Sequence, residues 1–167
     1  AMGAYAQENG KPDKSAETIE RLQEILAVRE RAVAELIDRK QRTELYTQNL
    51  DKVVAQAKQY LETLQKLSAH KKENSEEFQN MERALEDVTK INKNMGPLQI
   101  EGVMTQLGAA AGIYRERIDK SWHRGILGNG QQRRNLAESM GYFAASQKGA
   151  IHTLSKGVMA PESAINR

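Results

Sequence analysis

Hydrophobic side chains between residues 16 and 68 recur at spacings of three and four positions, the period of an α-helix. They keep one seven-residue register, as in coiled coils, and neither glycine nor proline interrupts the run. The positions are Leu22, Ile25, Leu26, Ala32, Val33, Leu36, Leu50, Val53, Val54, Ala57, Leu61, Leu64 and Leu67. The pattern predicts one amphipathic helix, about 80 Å long at about 1.5 Å per residue. Because so long a rod cannot cover its own apolar side, we expect later helices or another chain to pack against it.

The middle of this predicted helix, residues 38–44, places polar side chains at positions of the apolar stripe. One interpretation is a solvated stretch against which few helices pack. The other is a buried polar layer that fixes the register, or a contact site. This stretch contains no helix-breaking residue, so the sequence does not support a division into two helices here.

Three shorter helical segments follow. Asn74 with Glu77 three residues later resembles a capping box and predicts the start of the second helix. Asn94-Met95-Gly96-Pro97 predicts its end, with the glycine in a left-handed cap conformation. A third helix is predicted over residues 98–124, and a fourth from about residue 131 to residue 158.

Together these segments predict an all-α protein, an elongated three-helix bundle whose second arm is broken. The second helix would run back along the second half of the first. After the break the third helix would continue along the first half, or fold over it as a small helical lobe near residues 96–130. We expect one bundle over residues 15–158, a disordered segment at residues 1–14 and a loose tail at residues 159–167.

Small residues mark candidate hinge or close-packing positions in the third helix and at its start. Gly108 and Gly112 enclose three alanines, a pattern that lets two helices approach closely or leaves a segment loose until a partner binds. The candidate positions are Gly96, Pro97, Gly108 and Gly112.

The composition excludes several classes of protein and of functional site. Charged residues make up 28% and aromatic residues 5% of the 167 positions, which favours a helical bundle over a disordered chain or a β-sandwich. The absence of cysteine excludes disulfides and thiolate sites. A net charge of +3 does not by itself indicate nucleic acid, and no apolar run approaches the length of a membrane span.

The histidines and carboxylates do not form the spacing of a catalytic or metal site. His70, His123 and His152 include no pair at i,i+4, and no HExxH motif is present. We therefore expect no enzyme, no cofactor and no small-molecule substrate.

A basic cluster surrounds the loop between the third and fourth helices, and the single tryptophan lies within it. Arginine together with tryptophan is typical of interface anchors. The candidate partner-binding residues are Arg115, Arg117, Trp122, Arg124, Arg133 and Arg134. The alternative is that Trp122 packs in the end of the bundle while the arginines are solvated.

The first residues carry signals of processing rather than of fold. Ala1-Met2-Gly3 is typical of the remnant that an expression vector leaves. Ala4-Tyr5-Ala6, a small-x-small triplet before a polar segment, is typical of a signal-peptidase cleavage site. We therefore expect an exported protein of the periplasm or cell surface, with a cytoplasmic location as the alternative.

In layout across residues 15–158, an exported, cysteine-free helical bundle rich in alanine and glutamine is similar to the minor pilus subunits of bacterial type IV secretion and conjugation systems. Those subunits are extracytoplasmic helical bundles with a smaller lobe, associated with the pilus tip and with host or recipient contact. The resemblance lies in layout rather than in a motif, so it implies no functional residues. It implies a non-enzymatic structural or adhesive component of a larger assembly.

Two other functions remain open. A cytoplasmic helical chaperone or adaptor would hold a protein partner along the first helix. A binder of nucleic acid or of another anionic surface would use the basic cluster, although the mild net charge disfavours nucleic acid. If the chain is a pilus-like component, a chaperone or an adaptor, we expect it to bind another protein or further copies of itself.

Overall fold

The computed structural model describes residues 14–68, 75–121 and 129–158, and this part of the chain is helical without strands. The helices are α1 (Ser15–Ser68), α2 (Glu76–Thr89), α3 (Pro97–Lys120) and α4 (Asn129–Leu154). The predicted all-α class is confirmed. Residues 1–13, 69–74, 122–128 and 159–167 lie outside the described residues, so the predictions made for the N-terminal segment, for the connections at 69–74 and 122–128 and for the C-terminal tail are not tested.

Contacts between residues divide the chain into two units, residues 1–41 and residues 42–167, which we call unit 1 and unit 2. The described part of unit 1, residues 14–41, is the N-terminal part of α1, and none of its residues is buried. In the polar stretch at residues 38–44, every side chain except that of Thr43 is exposed, as the solvated interpretation expects.

Unit 2 packs four helical segments in an antiparallel arrangement. They are residues 42–68 of α1 and the helices α2, α3 and α4. Phe78 at the start of α2 meets Tyr114 near the end of α3, so these two helices run in opposite directions. Asp119 near the end of α3 forms an ion pair with Arg134 near the start of α4, so α3 and α4 also run in opposite directions. The ring of Tyr60 in α1 lies 5.4 Å from the ring of Phe143 in α4.

One hydrophobic core fills unit 2. Its largest fully buried side chains come from all four segments, because each presents an apolar residue every three or four positions. They are Tyr114, Leu64, Met81, Leu85, Ile100, Met104, Leu107, Met140, Ile151, Val53 and Val88. Bundle packing in this unit therefore follows from helical periodicity.

The arrangement of segments in unit 2 differs from the predicted three-helix layout. Helix α3 turns back against α2 and also packs on α4, as a member of the bundle rather than as a separate lobe near residues 96–130. The reversal is possible because α2 already ends at Thr89, which leaves residues 90–96 to redirect the chain. Because the chain reverses, both α2 and α4 pack against the apolar side of α3.

Two predicted helix caps are wrong in detail. Gly96 is not left-handed, since its φ of −68° and ψ of 151° are those of an extended N-cap that precedes Pro97 in the first turn of α3. The N-cap of α2 is Ser75 rather than Asn74, because the Ser75 hydroxyl accepts a hydrogen bond from the amide of Phe78 at 3.2 Å.

Candidate interaction surfaces

Large apolar side chains cover one side of the helix in unit 1. At 100° per residue they fall within about a third of the helix circumference, the width of the stripe that an amphipathic helix normally buries. We call these residues the apolar face: Ile19, Leu22, Ile25, Leu26, Val33, Leu36 and Ile37.

Each side chain of the apolar face is between 49% and 59% exposed. The opposite side of the same helix carries charged residues, among them Glu20, Arg31 and Asp38. Monomeric soluble proteins rarely expose a contiguous apolar stripe of this kind, and such a stripe usually marks an interaction site. The exposed apolar residues of unit 2, such as Leu98 and Tyr142, are instead scattered, which is ordinary.

The arginine cluster at the junction of α3 and α4 is paired with carboxylates. Arg117 Nη1 lies 2.6 Å from Glu77 Oε2 of α2. Arg134 donates to Asp119 and also to Glu138, the latter at 3.1 Å. Sequence spacing alone did not indicate Glu77, which is 40 positions from its partner.

Two further arginines of this cluster make weaker or less exposed contacts. Arg115 Nε is 3.7 Å from Asp119 Oδ2. Arg133 is 8% exposed, and its Nε donates a hydrogen bond of 3.2 Å to the hydroxyl oxygen of Tyr114. Trp122 and Arg124 lie outside the described residues, so the proposed grouping of tryptophan with arginine stays a prediction.

The ion pairs shift the titration of their carboxylates. A hydrogen bond from Arg134 lowers the pKa of Asp119, and the charges of Arg134 and Arg115 add to that effect. The pKa of Glu77 is lowered by a hydrogen bond from its own backbone amide and by one from Arg117. These carboxylates therefore stay ionised and neutralise much of the positive charge that the sequence concentrates here.

A polar pair that sequence spacing did not indicate joins an exposed histidine of α4 to a largely buried glutamate of α3. His152 Nδ1 of α4 is 3.2 Å from Glu101 Oε1 of α3, and the glutamate is only 13% exposed. Burial, with a smaller contribution from the charge of Glu101, raises the pKa of Tyr46 in α1. The contact between His152 and Glu101 therefore joins α3 and α4, and the charge of Glu101 also acts on Tyr46 of α1.

The small-residue positions differ in their surroundings. A Cβ added at Gly108 would lie 3.5 Å from Cβ of Ala144, so α3 and α4 approach each other closely there. A Cβ added at Gly112 or at Gly96 would have no neighbouring atom within 4 Å. Pro97 is half-buried in the first turn of α3. The proposed hinge role of these residues stays a prediction.

Residues 14–68, 75–121 and 129–158 contain no group of three or more histidine or carboxylate side chains placed to hold a metal ion. Across the same ranges, the helices lack a segment both long enough and apolar enough to cross a membrane.

No family model, no curated protein and no solved structure matches this chain.

Proposed function

We propose that this chain is a non-enzymatic interaction protein, and that the apolar face of unit 1 is its protein-binding surface. The observation that supports the proposal is the exposure of seven large apolar side chains on one side of one helix. Transfer of apolar surface out of water provides about 25 cal/mol for each Å² buried, so covering this stripe is strongly favourable. An amphipathic helix that binds through such a stripe places its anchors at i, i+3, i+4 and i+7.

The spacing of the apolar face fits this mode of binding. Ile19, Leu22, Leu26, Val33 and Leu36 recur at three, four or seven positions. Isolated helices are marginally stable in water, and most helices in proteins are stabilised by packing of their apolar side. A partner helix would supply that packing to unit 1.

We further propose that the protein is an exported structural or adhesive component of a larger assembly, comparable to a minor subunit of a type IV secretion or conjugation pilus. The Ala4-Tyr5-Ala6 triplet supports this role, as do the all-α fold of the described residues and the absence of cysteine from the sequence. A cytoplasmic chaperone or adaptor would use the same apolar face. Binding of an anionic surface through the arginine cluster has weaker support, because carboxylates pair with Arg115, Arg117 and Arg134.

Site-specific photo-crosslinking in cells that make the protein tests the binding surface. A photoreactive amino acid would replace Leu22 or Val33 on the apolar face, and Val28 would serve as the matched control. Val28 is also an exposed valine of the same helix, at 59%, but it lies about 120° around the helix from the centre of the apolar face.

We expect adducts from positions 22 and 33 and few from position 28. Mass spectrometry of the adducts would identify the partner. Equal labelling from all three positions, or no adduct from any of them, would contradict the proposal.

A further inference from the structure

We infer that the partner on the apolar face is a second copy of this chain, paired antiparallel with the first over residues 15–40. This inference rests on the proposed function and names the partner of the same surface. Three observations support it: the register of the apolar residues, the places where charged residues interrupt them, and the distribution of charge along the helix.

The register of the apolar face is symmetric about its midpoint. In a two-helix coiled coil the seam consists of two positions in every seven, here residues 15, 19, 22, 26, 29, 33, 36 and 40. In an antiparallel pair centred between residues 27 and 28, Ile19 faces Leu36 of the second copy. Leu22 then faces Val33 of the second copy, so each large apolar seam residue outside the centre meets another one.

Arg29 and Lys40 occupy seam positions and decide the direction of the pairing. In a parallel pair each would lie directly against its own copy, which places like charges together in a desolvated seam. In the antiparallel pair Arg29 faces Leu26 of the second copy, where its alkyl stem can pack while the guanidinium reaches water. Lys40 faces Ser15 at the solvated end of the seam.

Charge along the helix also favours the antiparallel direction. Glu17, Glu20 and Glu24 make the first half of the paired region acidic, with only Arg21 opposing them. In its last turn Arg39 and Lys40 outweigh the single carboxylate of Asp38, so that this end carries a net positive charge. Antiparallel pairing brings the acidic end of one copy beside the basic end of the other, and it also opposes the two helix dipoles.

Disulfide trapping in the full chain tests both the partner and the direction. Because the chain contains no cysteine, a single substitution introduces the only thiol. Two variants, Ile19→Cys and Leu36→Cys, are purified separately, mixed and oxidised under mild conditions. A disulfide requires Cα atoms within about 7 Å of each other.

The antiparallel pair predicts a disulfide between the two different variants when they are mixed. Ile19→Cys alone should stay unlinked, because residues 19 of the two copies would be about 25 Å apart along the helix. Efficient linking of Ile19→Cys to itself would show a parallel pair and overturn the inference. Absence of disulfides from every sample would overturn it as well.

Sedimentation equilibrium of the cysteine-free chain provides the second measurement. We expect the cysteine-free chain to form a reversible dimer. Val33→Glu should raise the dissociation constant at least about tenfold, because it would bury a carboxylate against Leu22 of the second copy. Val28→Glu should leave the dissociation constant unchanged. A monomer at all concentrations would overturn the self-pairing.

The outcomes separate this inference from the proposed function. A monomer that still gives crosslinks from positions 22 and 33 to a different protein would overturn the self-pairing and leave the binding surface supported. A monomer without selective crosslinks would contradict both.

Discussion

Gly149 and Gly157 of the C-terminal segment differ in backbone conformation, and this difference determines the effect of an alanine at each. Gly157 follows α4 with φ of +75°, the left-handed region that alanine adopts only at a cost of about 1–2 kcal/mol. Gly149 lies inside α4, and a Cβ there would have no neighbour within 4 Å. We expect Gly157→Ala to lower the free energy of unfolding by about 1 kcal/mol.

The matched variant Gly149→Ala should instead raise the free energy of unfolding by about 0.5–1 kcal/mol, because alanine is the better helix former. Urea unfolding of both variants, followed by circular dichroism, measures the two shifts. Shifts of the same sign would contradict the backbone conformation assigned to Gly157.

The hydroxyls of Tyr46 and Tyr114 are buried in unit 2 but differ in their hydrogen bonding. The Tyr114 hydroxyl accepts from Arg133, whereas the Tyr46 hydroxyl has no partner among the described residues. Removing a paired group leaves its partner unsatisfied, and removing an unpaired buried hydroxyl relieves a desolvation cost. We expect Tyr114→Phe to lower the free energy of unfolding by about 1–2 kcal/mol and Tyr46→Phe to leave it unchanged or raise it.

Thermal unfolding of the two phenylalanine variants beside the unmodified chain compares these effects. A loss for Tyr46→Phe as large as that for Tyr114→Phe would show that the Tyr46 hydroxyl has a partner.

At the scale of helices, the contact between α3 and α4 depends on pH through Asp119. Its pKa in the folded protein is lowered from the ordinary value of 3.8, so its ion pair with Arg134 stabilises the fold above that value. The stabilisation is lost as the pH falls through the lower pKa of the folded state. We expect Arg134→Gln to reduce stability at pH 7 and to have a smaller effect at about pH 2, because lowering the pH through the lowered pKa of Asp119 protonates its carboxylate.

Urea unfolding at the two pH values measures this difference. Lys66→Gln is the control, because Lys66 and Glu62 form an exposed pair within one helix and should contribute little at either pH. An effect of Arg134→Gln that is equally large at both pH values would indicate a packing role for the arginine instead of an ion pair.

The sequence predicted which residues lie in helices better than how the helices pack. Gly96 and Pro97 were predicted to end the second helix, and the structure places them at the start of α3 instead. Periodicity states only which side of a helix is apolar, not which other helix covers it. The reversal of α3 therefore could not be predicted. The same limit applies to Glu77, whose pairing with Arg117 depends on how α2 and α3 pack.

For the candidate site, the predicted stripe contained five of the seven residues of the apolar face but missed Ile19 and Ile37, and it gave no information on their exposure. Leu22 and Leu50 occupy the same heptad position, yet Leu22 is 55% exposed and Leu50 is 2% exposed. The difference is that the helices of unit 2 cover Leu50. Local spacing contains no information about such tertiary cover, and so the exposure of the apolar face became visible only in the structure.

For the whole molecule, the distribution of buried residues predicts a distribution of local stability. Every residue of the described hydrophobic core belongs to unit 2, and the described part of unit 1 has none. Regions with few buried apolar contacts open more readily than core helices. In a single copy of the chain, the amides of residues 19–37 should therefore exchange faster than those of α3.

The most direct test of self-pairing is hydrogen exchange of the full chain over a range of protein concentrations. We predict that exchange of amides in residues 19–37 slows as concentration rises, while amides of α3 stay unchanged. Val33→Glu should abolish the slowing, and Val28→Glu should preserve it. Exchange in residues 19–37 that is independent of concentration would contradict pairing of two copies through the apolar face.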